Sequence, residues 1–318
     1  IELPNFVKSP EFIAKDKDFT FIGAVCMIWW CFAGFEACVA MGEEIRFPKI
    51  NIPRAMFLAP FVVFCVNALF QWYLIGITPV EKLASLATAE APYAEAMKAA
   101  GILGFPLALL AAGIAFGGDF STLNASISTT PRYLFTMARD GAMPKIFAKV
   151  SRRYQTPYVA VITLGVLTVA LIATNSLLYI AELSLFADLF YYVLGILAAL
   201  GLRKNHPELK RSYKAPLIMI GAPISALIYL YMMTELSNEA FYTGVIWCLL
   251  GIAIYWCCSK YYGSGTSFKL DEKESGVDET PSPEEKRAMD REYHVWWFIV
   301  GALSIIATLL YLVPYLAR

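Results

Sequence analysis

The strongest chemical signal in the sequence is three acidic residues that lie in otherwise apolar stretches. Glu36 ends the run WWCFAGFE, Asp119 follows a pair of glycines, and Asp188 lies within SLFADLFYY. No Lys or Arg lies in the same stretches. A charged carboxylate inside a membrane costs about 2.5–3.5 kcal/mol on the insertion scale, so it needs a partner or a function. An acidic interior of this kind suits a cation, an amine or a proton.

Gly34 lies two residues before Glu36, in the middle of an apolar run that is rich in aromatic residues. Glycine weakens a helix, and a broken helix frees backbone groups that can form a binding site near the membrane midplane. The alternative is an unbroken helix in which a protonated Glu36 bonds to a neighbouring helix and Gly34 is a packing contact.

The stretch around Asp119 is unusually hydrophilic for its length, because Ser121, Thr122 and Asn124 follow it closely. Hydroxyl groups can bond back to their own helix, which is a structural role. The other interpretation is that one face of this helix lines a cavity or coordinates a cation. Nearby glycines with small-xxx-small spacing indicate tight helix packing.

The elements that must position these residues are membrane-spanning helices. The chain is 58% apolar and 16% charged, with a mean hydropathy of +0.56, whereas soluble domains are nearer half apolar and a quarter charged. The apolar residues fall in blocks of about twenty, the length that crosses a bilayer. The predicted spans are Phe19–Met41, Ala55–Ile77, Gly101–Pro131, Tyr158–Thr174, Ser176–Leu202, Ala215–Met233, Phe241–Tyr261 and Val295–Leu316.

The basic residues predict the orientation of these spans. Of the 26 Lys and Arg residues, 20 lie in the connections on one side of the predicted membrane. Positively charged connections stay in the cytoplasm, so both ends of this chain are predicted to lie outside. Because the sequence shows no targeting segment, we expect further sequence upstream, including further spans. The six basic residues on the other side are Lys8, Lys15, Lys17, Lys82, Lys98 and Arg318.

Signatures of other protein classes are missing from the sequence. It contains no P-loop, H-E-x-x-H or G-x-S-x-G motif, and His206 and His294 lie in predicted cytoplasmic loops. The seven cysteines lack metal-ligand spacing and read as packing residues. We therefore expect no cofactor, no bound metal, no nucleic acid and no enzyme activity.

Two motifs resemble the amino acid–polyamine–organocation (APC) superfamily of permeases. FAGFE at 32–36, followed by EEIRFPKINIPR at 43–54, is similar to the sixth helix of that family and the loop after it. RYLFTMARDGAMP at 132–144, followed by TPY at 156–158, is similar to the end of the eighth helix and its loop. Most of residues 19–260 shares this likeness.

The resemblance implies an all-α polytopic fold, the second half of a five-plus-five inverted repeat of the LeuT type. This chain would be the C-terminal part, from helix six onward, and the five N-terminal helices would be missing. The implied division is the second repeat with five helices at 19–202, two further helices at 203–261 and an additional helix at 295–318. Composition adds a polar extracellular lead-in at 1–18 and a disordered or loosely ordered, hydrophilic cytoplasmic linker at 262–294.

The resemblance also implies roles for individual residues. Residues 30–34 would be an unwound segment whose free backbone groups contact the substrate, with the aromatic ring of Trp30 over it. Glu36 matches an acid implicated in proton-linked gating and, in polyamine carriers, in substrate binding. Asp119 departs from the expected pattern and favours an amine or cationic substrate. The candidate substrate-binding residues are Trp30, Phe32, Ala33, Gly34, Phe35, Asp119 and Asn124, and those for proton coupling or gating are Glu36, Glu43, Glu44 and Asp188.

Three functions follow as hypotheses. The first is a secondary active transporter, a symporter or an antiporter, of amino acids or related amines and polyamines. It would work in the cell (inner or plasma) membrane by alternating access, with a proton or an exchanged solute as the coupled partner. The second is a transport-incompetent fragment or partner subunit of such a permease. The third, a membrane-embedded enzyme, lacks a catalytic constellation in this sequence.

Overall fold

The described part of the chain is mostly helical and contains no strand, as the sequence predicts. The computed structural model describes residues 21–42, 44–86, 89, 91–174, 176–208, 211, 213, 215–262 and 280–316. The helices are α1 (Phe21–Trp30), α2 (Ala37–Ala40), α3 (Pro48–Ile77), α4 (Val80–Leu86), α5 (Pro92–Ala99), α6 (Phe105–Ala112), a π-helical segment (Gly113–Asp119), α7 (Phe120–Arg139), a 3-10 turn (Lys145–Ala148), α8 (Tyr158–Ile172), α9 (Leu177–Asn205), α10 (Ile218–Met233), α11 (Asn238–Tyr262) and α12 (Pro283–Leu316).

Five helices in the described residues are long and apolar enough to cross a membrane, which makes this a multi-pass membrane protein. They are Pro48–Ile77, Phe105–Arg139, Leu178–Asn205, Asn238–Tyr262 and Pro283–Val313. The other three predicted spans differ. Two are the shorter apolar helices α8 and α10, each about 22–24 Å long at 1.5 Å per residue. The first predicted span is a broken helix, because α1 ends at Trp30 and the chain becomes helical again only at Ala37.

The described residues group into two compact units. The first unit contains the described residues of Asn51–Ser126 and Glu279–Arg318. The second unit contains the described residues of Thr20–Ile50 and Ile127–Asp278. We call them the α3–α12 unit and the α9 unit after their main helices. The boundaries predicted for the second repeat, 19–202, stay a prediction.

Helix α9 is the centre of the α9 unit, because it contacts α1, α10 and α11. Leu185, Phe186 and Leu189 on this helix are almost fully buried. They pack with Cys26 of α1 and with residues at the end of α10. Near the start of α9, the Tyr179 hydroxyl donates to Thr243 Oγ1 on α11 at 3.0 Å. A central helix with a buried apolar face holds its polar side chains at defined positions.

Helices α3 and α12 run parallel in the α3–α12 unit, and residues at 54–68 of the first contact residues at 290–311 of the second. Arg54 forms an ion pair with Asp290. One turn or more further along, Phe61 meets the ring of Trp297 at 5.2 Å. Further along both helices, the Tyr311 hydroxyl donates to the carbonyl oxygen of Ala68 at 2.9 Å. These contacts follow each other in the same sequence along both helices, so the two helices begin at the same end of the unit.

Helix α12 begins earlier than the predicted last span, which was placed at 295. Ser282 and Glu285 form reciprocal bonds: the Glu285 backbone N–H donates to Ser282 Oγ at 3.2 Å, and the Ser282 N–H donates to Glu285 Oε2 at 2.9 Å. This capping box starts a helix at Pro283. Residues 283–294, which composition assigns to a loose linker, are therefore helical. Residues 263–279 of that linker lie outside the described residues.

The glycines of the π-helical segment do not show the close packing that their spacing predicts. A Cβ added at Gly113, Gly117 or Gly118 would meet nothing within 4 Å. The Ser121 hydroxyl bonds back to the carbonyl oxygens of Gly117 and Gly118 at 2.6 and 2.9 Å. The Ser121 hydroxyl therefore has the structural role of bonding back to its own helix. The π-helical segment is a separate feature, and π-helical turns often occur at functional sites.

Candidate functional site

The break between α1 and α2 lies at the glycine that the sequence singles out. Gly34 has a φ of 100°, in the left-handed region that other residues adopt only with strain. Before it, the Phe32 N–H donates to the Trp29 carbonyl oxygen at 2.8 Å, an i to i−3 bond in place of the α-helical one. The chain therefore leaves the helix through tight turns and re-enters it at Ala37.

The break leaves backbone groups without partners. In the part of the chain that the structure describes, the carbonyl oxygens of Cys31, Phe32 and Ala33 accept no hydrogen bond. The N–H groups of Phe35 and Glu36 donate none within the same described residues. Unpaired carbonyl oxygens and unpaired N–H groups thus lie together within residues 31–36. Because unpaired backbone groups inside a membrane need hydrogen-bond partners, this segment can bind a ligand that supplies them.

The carboxylate of Glu36 accepts three hydrogen bonds, and these connect the break to α9. Tyr191 donates its hydroxyl to Oε1, and Tyr192 donates its hydroxyl to Oε2 at 2.8 Å. The Gly34 N–H donates to Oε2 at 3.1 Å. These three hydrogen bonds stabilise the conformation in which the break lies against α9.

Aromatic rings surround this carboxylate. Phe35 stacks on Tyr192 with ring centroids 6.4 Å apart, and Trp29 meets Tyr192 edge-on at 6.0 Å. Trp29 also contacts Tyr229 of α10 at 5.2 Å. Phe35 therefore packs on Tyr192, while Trp30, the ring predicted to cover a substrate, is 44% exposed. The substrate contacts predicted for both residues stay predictions.

Asp188 is on the same helix as the two tyrosines that hold Glu36. It precedes Tyr191 by three residues and Tyr192 by four, the spacing that places side chains on one helix face. Its side chain is half-buried, and it forms no hydrogen bond or ion pair with another described residue. No group of three or more His, Cys, Asp or Glu residues in the described chain could hold a metal ion.

Glu44 lies in the loop between α2 and α3 and pairs with the helix that carries the second motif. Its Oε1 accepts a hydrogen bond from Arg132 Nη2 in an ion pair. The Arg132 Nε–H donates to the Ser128 carbonyl oxygen at 2.9 Å, which orients the guanidinium. The two sequence motifs therefore meet through one ion pair at the predicted cytoplasmic end. Glu43 lies outside the described residues.

Asp119 and Asn124 belong to the α3–α12 unit. Asp119 ends the π-helical segment and Asn124 lies one turn into α7. Both are exposed, and Asp119 forms no hydrogen bond or ion pair with another described residue. Their assignment to a substrate site stays a prediction.

Sequence reasoning missed the two tyrosines. Paired tyrosines inside an apolar stretch read as interfacial aromatics, which are common in membrane helices. The available signal is that a buried tyrosine hydroxyl needs a hydrogen-bond partner and that these two follow Asp188 at helical spacing. It indicates a polar site on α9 but does not identify Glu36 as its partner, because that contact joins residues far apart in the chain.

Replacing Gly34 by alanine tests the break. A Cβ at Gly34 would meet nothing within 4 Å, so the only cost is the positive φ, about 1–2 kcal/mol for an L-residue. We expect Gly34→Ala to lower the thermal unfolding temperature of the purified protein. Gly195→Ala in α9 is the matched control, since it also adds a Cβ to open space but at a helical position, where alanine is favoured by roughly 1 kcal/mol. Equal melting temperatures for the two variants would contradict the broken geometry.

Comparison with known proteins gives the family. The family described as Amino acid permease matches residues 4–257. The methylthioribose transporter of Bacillus subtilis is 28% identical over 236 residues, which are 73% of this chain and 49% of that protein. A branched-chain amino acid permease of the same organism is 26% identical over 237 residues, 74% of this chain and 50% of that protein.

A human relative shows the same partial match. The large neutral amino acids transporter small subunit 2 of Homo sapiens is 26% identical over 226 residues, 71% of this chain and 40% of that protein. The chain spans about half the length of the relatives it matches. These relatives are permeases and transporters rather than enzymes, and the resemblance drawn from the two motifs is confirmed. This chain, with its broken helix and its membrane-spanning helices, belongs to the amino acid permease family.

Proposed function

We propose that this chain contributes half of the substrate site and the gating machinery of a secondary active transporter of amino acids. The observation that carries the proposal is the Glu36 carboxylate, which lies at a helix break and is held by Tyr191 and Tyr192 of α9. An ionisable group inside a membrane marks a substrate or ion route. Transport would proceed by alternating access, with the break and α9 moving relative to each other.

Recognition of the amino acid backbone is proposed for the break itself. The unpaired carbonyl oxygens of residues 31–33 suit a substrate ammonium group, and the unpaired N–H groups of residues 35 and 36 suit a carboxylate. An α-amino acid carries both groups on one carbon. Discontinuous helices in other transporters use free backbone groups in the same way. Trp30, which is exposed beside the break, would cover the bound substrate.

Coupling is proposed to act through the charge of Glu36. The ionised carboxylate accepts from both tyrosine hydroxyls, whereas a protonated one must give up acceptor capacity on one oxygen. Protonation would weaken the link between the break and α9 and favour the other conformation. Asp188, on the same face of α9, is proposed as a second proton-coupling group.

The Glu44–Arg132 ion pair is proposed as part of the cytoplasmic gate. It joins the loop after the break to α7, two turns before that helix ends at Arg139. Opening the site toward the cytoplasm would separate these two side chains.

Neutral amino acids are the proposed substrate class. Two of the relatives are named for branched-chain and large neutral amino acids, and the described break carries no basic side chain that would demand an acidic substrate. Asp119 supports the second possibility, an amine or cationic substrate, because its exposed carboxylate is unpaired among the described residues.

A ligand panel tests this proposal. The complete gene product would be heated in detergent with neutral amino acids, cationic amino acids and polyamines, and with analogues that lack the α-amino or the α-carboxylate group. A ligand at 100 times its Kd stabilises the folded state by about 2.7 kcal/mol. We expect neutral amino acids to raise the melting temperature and both truncated analogues to fail. The recognition proposal is wrong if the truncated analogues stabilise the protein as well as the parent amino acid does.

A further inference from the structure

A cavity between α3 and α12 is not used by the proposed transport mechanism. Its volume is about 270 Å³, near the lower end of the range for small-molecule pockets. It lies in the half of the two helices that begins at Pro48 and Pro283, beside the Arg54–Asp290 ion pair. The lining residues are Asn51, Arg54, Ala55, Leu58, Met289, Glu292, Tyr293 and Trp296.

The orientation predicted from the basic residues places the cavity in the cytoplasmic headgroup layer. Both helices begin on the side where the basic residues cluster, and this side faces the cytoplasm by the positive-inside rule. Tyr293 and Trp296 line the cavity, and Tyr and Trp side chains are enriched where the hydrocarbon meets the headgroups. Past the cavity, both helices continue as apolar spans. A molecule in this cavity would therefore lie at the surface of the bilayer.

The charges of the lining are arranged for a zwitterion. Arg54 and Asp290 neutralise each other, and the guanidinium also lies 4.9 Å from the centre of the Tyr293 ring. Its hydrogen bond to Asp290 is the only one it makes with a described residue, so most of its five N–H groups are available. Glu292 forms no ion pair or hydrogen bond with another described residue and leaves the lining with a net negative charge.

From this lining we propose that the cavity binds the headgroup of a zwitterionic phospholipid with a primary ammonium group, such as phosphatidylethanolamine. The ammonium group bonds to the Glu292 carboxylate and lies against the face of Trp296, an arrangement that attracts cations. The phosphate accepts from the N–H groups of Arg54 that Asp290 leaves unused. An anionic headgroup such as glycerol phosphate lacks the ammonium group and meets the unpaired Glu292 charge. A choline headgroup has no N–H to donate to Glu292.

Native mass spectrometry of the complete gene product in detergent tests this site directly. The protein would be mixed with phosphatidylethanolamine, phosphatidylcholine or phosphatidylglycerol of equal acyl chains, and the lipid-bound fraction measured against lipid concentration. Losing a charge-assisted hydrogen bond costs about 1.5–3 kcal/mol, which is a tenfold or larger change in Kd. We expect phosphatidylethanolamine to bind about tenfold more tightly than phosphatidylglycerol, with phosphatidylcholine between them.

Two substitutions on α12 distinguish lipid binding in the cavity from an effect of the overall charge of the helix. Glu292→Gln should abolish the preference for phosphatidylethanolamine. Glu284→Gln is the matched control, since Glu284 is an exposed acid in the first turn of the same helix and does not line the cavity. Equal binding of the three lipids, or an unchanged preference in Glu292→Gln, would overturn the proposal.

Free phosphoethanolamine distinguishes the lipid from a soluble zwitterion. If the site takes a lipid, this compound should fail to displace phosphatidylethanolamine at equal concentration, because it cannot place acyl chains beside the helices. Displacement at equal concentration would assign the cavity to a soluble ligand and overturn the lipid proposal. None of these measurements depends on transport, so their outcome is independent of the proposed function.

Discussion

Uptake by the Glu36→Gln variant of the complete gene product is expected to lose its dependence on pH. The glutamine amide has one acceptor oxygen and one donor nitrogen, so it cannot accept from both Tyr191 and Tyr192 as the carboxylate does. Losing a charge-assisted hydrogen bond of this kind costs about 1.5–3 kcal/mol. That changes the equilibrium between two conformations roughly tenfold or more. The amide is also neutral at every pH, so protons no longer shift that equilibrium.

The measurement is initial uptake into proteoliposomes over a series of external pH values. Glu182→Gln is the matched control, because Glu182 is on α9 and accepts a hydrogen bond from Ser237 rather than from the break. This variant should keep the wild-type pH profile. A wild-type profile in Glu36→Gln would remove Glu36 from the coupling mechanism and leave it a structural acceptor. Tyr192→Phe, which deletes one donor to the carboxylate, should give an intermediate change.

Gly244→Ala is expected to cause the largest loss of stability among the glycine-to-alanine substitutions in the α9 unit. A Cβ at Gly244 on α11 would lie 2.2 Å from the ring of Phe186 on α9. That ring is 3% exposed, and it is confined by Phe190 at 6.0 Å and by Phe241 at 5.7 Å between ring centroids. Overpacking of this kind costs about 1–3 kcal/mol. The reason is that either α11 or the ring must move.

Thermal unfolding of the purified protein measures this cost. Gly251→Ala is the matched control two turns further along α11, where an added Cβ meets nothing within 4 Å. Helix propensity alone favours alanine there by about 1 kcal/mol. Phe186→Leu in the Gly244→Ala background should recover part of the lost stability, because the two sites are in contact and their effects are not additive. A Gly244→Ala protein that melts like Gly251→Ala would show that α9 and α11 do not pack as described.

Several local features were predictable because short-range chemistry determines them. The break at Gly34 needs a residue that tolerates a positive φ, and glycine is that residue. The length of apolar stretches predicted spans at the positions of α3, α9, α11 and α12. The start of α12 was predictable in principle from Ser282 and Glu285, whose spacing is that of a capping box. The composition instead favoured a linker at this position, because the residues after Pro283 are mostly charged.

The contacts that turn these elements into a site were not predictable from the sequence alone. Nothing in the spacing of residues links Glu36 to Tyr191 and Tyr192, or Glu44 to Arg132, because each pair is separated by many residues along the chain. The same holds for Arg54 and Asp290, which place a charged lining between α3 and α12. Local rules act over a few residues, whereas these pairs depend on which helices pack together and in what register.

The sequence by itself determined the class of protein and the family, and it predicted a possible helix break at Gly34 and Glu36 as an acid to study. Hydrophobic length, helix propensity and motif order are properties of neighbouring residues, so they can be read from a single chain. Only the tertiary structure decided which groups bond to that acid and that Phe35 packs on Tyr192 rather than standing free. It also decided that an open cavity lies between α3 and α12. Those outcomes depend on helix packing, in which many weak contacts between distant residues select one arrangement.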